Sequence, residues 1–264
     1  MTANFTADTA IDATGDGQWN TALSSAWSIG DNSNGGYLLT PALRAAHAIS
    51  GHPDLLTVTT HFFRPGEGEH PAEVTAEVMK LGRTMTTVSA ELSQHGKTRI
   101  SLMAGFGDLN AESRHGFAWA PTMPDIAAPD DCADPFDAID GLISTLEQSC
   151  DLRIDAERLA ASQADGRAEL FGWLRFADGA DPDALALPFF ADAFVPSVFA
   201  AVGPTGWVPS LELTVHIRKA PAPGWIAIHS ETEDIGNGKL IETAKLWDST
   251  GALVAHSRQL MLLL

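Results

Sequence analysis

The sequence predicts an α+β protein built as two tandem repeats, each a helix laid on a curved antiparallel sheet. Three observations carry this prediction. The stretch "TTHFFRPGEGEHPAEVTAEVMKLGRTMTTVSAELSQHGKTRISLMAGF" (59–106) returns in altered form as "TVHIRKAPAPGWIAIHSETEDIGNGKLIETAKLWDSTGALVAHSRQLMLL" (214–263), displaced by 155 to 156 residues. Both copies alternate apolar and polar residues at period two between turn sequences. One helical stretch precedes each copy.

Taken in chain order, "TALSSAWSIG" (21–30) reads as a Trp-bearing strand. "NGGYLLTPALRAAHAIS" (34–50) follows as a helix with Asn34 as its N-cap. The first meander then runs through "EVTAEVMKL" and "TMTTVSAEL", with turns at "LGRT" and "SQHGK". The second half repeats the plan. "RAELFGWLRFADG" (167–179) is its Trp-bearing strand, and "DPDALALPFFADAFVPSVFAAVG" (181–203) its helix, broken or bent by Pro188 and Pro196. "WIAIHSETEDI" and "LIETAKLWD" alternate as strands, and "LVAHSRQLMLLL" closes the chain. The predicted division is therefore an N-terminal repeat (1–108), an acidic connector (109–160) and a C-terminal repeat (161–264). Whether the two sheets join or pack back to back stays open at this level. A single helix on each sheet buries both apolar faces.

The 264 residues suffice for a large core without staples. Lys and Arg number 16 against 34 Asp and Glu, a net charge of −18, which argues against nucleic acid or an anionic membrane as partner. Cys132 and Cys150 lack zinc or redox spacing. No leader pattern opens the chain and no apolar run reaches membrane length, so a cytoplasmic protein is expected. Phosphate loops, dinucleotide fingerprints and GxSxG elbows are missing from the sequence.

"NGGYLLTPALRAA", "HFFRPG", "FFADAFVP", "SLELTVHIRKAPAPGW" and "LWDSTGALVAHSRQLML" together resemble the hotdog-fold acyl-CoA thioesterases, in particular double-hotdog proteins related to acyl-CoA thioesterase II. The resemblance covers nearly the whole chain apart from the connector. It implies a double hotdog that hydrolyses the thioester of an acyl-CoA, without metal or cofactor, using a water held by Asp, Ser or Thr, and Gln. Carried onto this sequence, the Asp is Asp192, the Gln is Gln259 and the hydroxyl is Ser210, where thioesterase II has Thr. The residues after Ser210 depart from the family's His-Ser neighbourhood, which leaves Thr214 as a second position for the hydroxyl. A dimer of the double unit is a further implication of the resemblance.

The chemistry suits these residue types. A carboxylate within hydrogen-bond reach of water acts as its general base, and Asp192 lies among Phe189, Phe190, Phe194 and Val195, where desolvation raises basicity. A hydroxyl and a carboxamide aim the water without adding charge. The oxyanion needs preorganised donors, for which Gly35 and Gly36 at a helix N-terminus are candidates. Arg64, Arg218, Lys219 and Arg258 are candidates for CoA phosphates, against the commoner reading as solvated strand ends. In a strand, Gln259 shares its face with Ala255, Ser257 and Met261, and its counterpart in the first repeat lies near Ala104. Two other readings compete. One is an enoyl-CoA hydratase or dehydratase, for which Asp31 is present but Ser33 occupies the Asn position. The other is a non-catalytic acyl-CoA-binding double hotdog.

Overall fold

A computed structural model describes residues 3–112, 115–140 and 146–263. The first half runs α1 (Phe5–Asp8), β1 (Asp12–Gly15), β2 (Gln18–Ala22), a 3-10 turn (Ser25–Trp27), β3 (Ser28–Ile29), β4 (Asn32–Ser33) and α2 (Gly35–Ser50). It continues through β5 (Asp54–Phe62), β6 (Pro71–Lys80), β7 (Thr86–Gln94) and β8 (Lys97–Gly107). The second half holds α3 (Pro135–Ala138), β9 (Cys150–Ile154), α4 (Ala156–Asp165), β10 (Glu169–Phe176), α5 (Leu187–Ala193) and α6 (Val198–Val202). Its strands β11 (Ser210–Ile217), β12 (Ile226–Gly236), β13 (Lys239–Trp247) and β14 (Leu253–Leu262) complete the chain.

The two sheets join edge to edge. Their strands form one twelve-stranded antiparallel sheet in the order β1-β2-β6-β7-β8-β5-β11-β14-β13-β12-β10-β9. Across the β5–β11 joint, Val58 faces Val215, Thr59 faces Thr214 and Thr60 faces Leu213. Thr59 and Thr214 are equivalents in the repeat, so the joint lies on a pseudo-twofold axis. The same register equates Ala104 with Gln259, because Val58 pairs with Ala104 as Leu213 pairs with Gln259.

Helix α2 starts where its cap requires. The Asn34 carboxamide oxygen accepts from the Tyr37 N–H at 2.9 Å, and Gly51 ends the helix in the left-handed region. Leu38, Leu39, Ala42, Leu43, Ala45 and Ala46 are buried, so this helix is wrapped by the sheet. The main core spans both halves: Phe5 stacks on Phe176 at 4.9 Å and Trp27 meets Phe189 edge-on at 5.3 Å.

Two expected elements differ. The helix expected over 181–203 is parted at Pro196 as expected, into α5 and α6, but Pro188 does not break it. Pro188 lies in the first turn of α5, where its missing N–H has no intrahelical role. Trp27 lies in a 3-10 turn rather than a strand, its indole N–H donating to Asp8 Oδ2 at 2.9 Å. Within 109–160, β9 pairs with β10 at the sheet edge. Residues 121–127 cross the outer face of the second half, where Pro121 and Ala127 carbonyls accept from the Trp247 and Trp173 indoles.

Candidate active site

Asp192 stands in the last turn of α5, which packs against the N-terminus of α2. Its Oδ2 accepts from the Gly36 N–H at 2.8 Å and from Asn34 Nδ2 at 2.8 Å, while its Oδ1 accepts from Ser210 Oγ at 3.2 Å. The close approach needs glycine. A Cβ at Gly36 would lie 2.6 Å from Phe189 Cα, and one at Gly35 would lie 3.1 Å from Asp192 Oδ2. Burial raises the Asp192 pKa, and the donors from Gly36, Ser210 and Asn34 oppose that rise without cancelling it. The positive end of α2 also favours the carboxylate.

Ser210 opens β11. A bulge between Ser210 and Glu212 breaks strict alternation and brings Ser210 to the side of Leu213 and Val215. Gln259 sits on β14 between Leu213 of β11 and Glu242 of β13. It is 3% exposed; Nε2 donates to Met261 Sδ at 3.1 Å, and Oε1 has no hydrogen-bond partner among the described residues.

Asp192, Ser210, Gln259, Asn34, Gly35 and Glu242 border one cavity of about 680 Å³, whose wall is otherwise mostly apolar, with Phe62, Phe194, Phe199 and Trp207, and polar at Asp31, Asn32, Ser33 and Arg64. The structure thus brings together five of the candidate site residues singled out in the sequence, Asp192, Ser210, Gln259, Gly35 and Arg64. Gly36 lies behind them, its N–H committed to Asp192 rather than to an oxyanion. Thr214 is not among them. On the outer face, it exchanges a hydrogen bond with its repeat equivalent Thr59 at 2.9 Å and pairs in register with exposed Arg258. Of the four cations, Arg64 alone borders the cavity; Arg218, Lys219 and Arg258 are exposed elsewhere.

Two residues of the site escaped the sequence reading. Asn34 was legible as a cap, but its second contact, to Asp192, is 158 positions away. Glu242 shares the inner face of β13 with Leu240, Ala244 and Leu246. A lone carboxyl in an otherwise apolar alternation is the same signal that marked Gln259, and it could have been found.

The architecture defines a double hotdog with one interior cavity that gathers polar groups from both halves. Residues 23–107 match the family model for the acyl-CoA thioesterase N-terminal domain, and residues 129–263 match that for the acyl-CoA thioesterase C-terminal domain. The chain belongs to this family and is a thioester hydrolase. It is similar to the structure of a thioesterase II candidate from Thermobifida fusca, with 31% identity, a TM-score of 0.84 and coverage of 98% of this chain and 96% of that one. It is 27% identical to an uncharacterized protein of Mycobacterium tuberculosis, covering 90% of this chain and 88% of the relative. Acyl-CoA thioesterase 2 of Haemophilus influenzae is 26% identical over 125 residues, 47% of this chain and 42% of that protein.

Proposed function

We propose that this chain hydrolyses acyl-CoA to a carboxylic acid and CoA, with Asp192 as the general base and Ser210 and Gln259 aiming the water. The observation that carries the reading is the pairing of two acceptors in one apolar cavity: an Asp192 Oδ1 with capacity left beyond its bond from Ser210, and a buried Gln259 Oε1 without a partner. A water donating one hydrogen to each turns its lone pair toward a thioester carbonyl. Attack forms the carbon–oxygen bond as Asp192 takes the proton. Collapse of the tetrahedral intermediate breaks the carbon–sulfur bond, and the proton leaves with the thiol. The N-terminus of α2, whose Gly35 borders the cavity and leans its N–H on Asp192 beside that of Gly36, favours a developing oxyanion as Asp192 takes up the proton. Arg64 at the rim suits a CoA phosphate.

The test follows free-thiol release from short, medium, long and aromatic acyl-CoAs. Asp192→Asn is expected to lower turnover by about 10²- to 10⁴-fold, the usual contribution of a general base. Because burial raises the pKa of Asp192, the acidic limb of the wild-type pH profile should fall above the ordinary carboxylate range, and it should vanish from any residual activity of the variant. Ser210→Ala should slow the reaction while Thr214→Val leaves it unchanged. Unimpaired turnover by Asp192→Asn, or a larger loss from Thr214→Val than from Ser210→Ala, would move the site.

A further inference from the structure

Glu242 is a charged-type side chain in a place where an acyl chain would be expected to meet only hydrocarbon. It is 6% exposed, borders the same cavity as Asp192 and stands across from Gln259 in the β13–β14 pairing. Its two oxygens are treated differently. Oε2 accepts from the Ser197 N–H at 2.5 Å and from Ser197 Oγ at 2.6 Å, and Ser197 is itself tied to Thr232 by a hydroxyl pair at 2.8 Å. Oε1 has no hydrogen bond among the described residues. The carboxyl is therefore held in one orientation by its far oxygen, with the near oxygen left for something in the cavity.

A purely structural tie to Ser197 would need one acceptor oxygen, and a smaller or neutral side chain would supply it without desolvating a second. Burial also pushes the Glu242 pKa up to about 7, with the nearby Asp192 carboxylate adding to the rise. With Oε2 engaged by Ser197, the protonated form carries its proton on Oε1, where it can both donate and accept. Its register position directly across from Gln259 sets it near the reacting centre rather than at the far end of an acyl chain.

Resting on the hydrolase reading above, we propose that Glu242 is a specificity-determining residue that hydrogen-bonds a hydroxyl carried by the acyl group close to the thioester, so that the substrate class is hydroxyacyl-CoA. The apolar walls at Phe194 and Phe199 then take the rest of the chain. A site built to bond a substrate hydroxyl discriminates strongly against the analogue that lacks it, because its own buried group is left unpaired.

The experiment compares 2-hydroxyacyl-, 3-hydroxyacyl- and unsubstituted acyl-CoAs of matched chain length with wild type, Glu242→Gln and Glu242→Met. Wild type should favour a hydroxyacyl-CoA in kcat/KM by at least about tenfold. Glu242→Gln, which still reaches Ser197 and still bonds a hydroxyl, should retain most of that ratio. Glu242→Met should lose or reverse it. Equal use of the two classes by wild type, or a preference that survives in folded Glu242→Met, overturns the assignment. If Glu242→Met does not fold, the wild-type ratio alone decides. Calorimetric binding of the same CoA esters to Asp192→Asn separates the two readings. Tighter binding of the hydroxyacyl ester supports the Glu242 assignment even without turnover, and equal binding refutes it. Absence of hydrolysis by wild type would count against the hydrolase reading alone.

Discussion

Replacing Glu242 by Gln should change how stability depends on pH, with a sign set by the burial of its carboxyl and a size of a few kcal/mol. The ordinary value for this carboxyl is 4.5, and burial moves it to about 7 in the folded chain. A raised pKa means that the folded state binds the proton more tightly than the unfolded state. The stabilisation from Glu242 is therefore fully present below pH 4.5 and is lost as pH rises through about 7. At about 1.4 kcal/mol per pKa unit, the difference amounts to about 3 kcal/mol. Gln keeps an acceptor for Ser197 but has no proton to lose. Urea unfolding at a series of pH values would read the difference between the two proteins, which cancels the carboxylates they share. Wild type should lose about 3 kcal/mol relative to Glu242→Gln as pH rises from below 4.5 to above 7. Parallel stability curves would refute the reasoning, and so would wild type gaining on the variant as pH rises.

Gln259→Met removes a buried acceptor that has no partner, so it should raise stability by about 1 kcal/mol in urea unfolding while lowering thioester turnover at least about tenfold. Gly36→Ala drives a methyl into the backbone of α5 at Phe189 and Pro188, next to the Asp192 Cβ. It should lower the unfolding free energy by about 1–3 kcal/mol and lower turnover together with it.

The repeat was the most legible part of the fold because it is written in local chemistry: turn residues and period-two alternation recur at a constant displacement. Asn34 and Gly51 announced the ends of α2 for the same reason. Trp27 was misassigned because its neighbours form a turn held by distant contacts, among them the bond from its indole to Asp8. In the candidate site, the meeting of Asp192 and Gln259 at one cavity was legible through resemblance, and the inward turn of Gln259 also through its face. The choice between Ser210 and Thr214 was not, and the reason is geometric. Strict alternation puts the two hydroxyls on one face, and the bulge between Ser210 and Glu212 is what separates them. A bulge leaves no mark in a single sequence when the extra residue, here in the Leu211 region, is an ordinary strand former.

The β5–β11 joint has a consequence for mass action. In a hotdog made of two separate chains, that strand pair would open on dilution and the site would disappear with it, since Asn34 and Gly36 come from one half and Asp192, Ser210 and Gln259 from the other. Here the same strands are tethered within one polypeptide, so the local concentration of one half around the other does not fall with the bulk concentration. The specific activity of the chain should not depend on this contact at any dilution. Covalent linkage also lets the two halves mutate apart, which is how Ala104 can hold a core methyl where its counterpart, Gln259, presents a carboxamide.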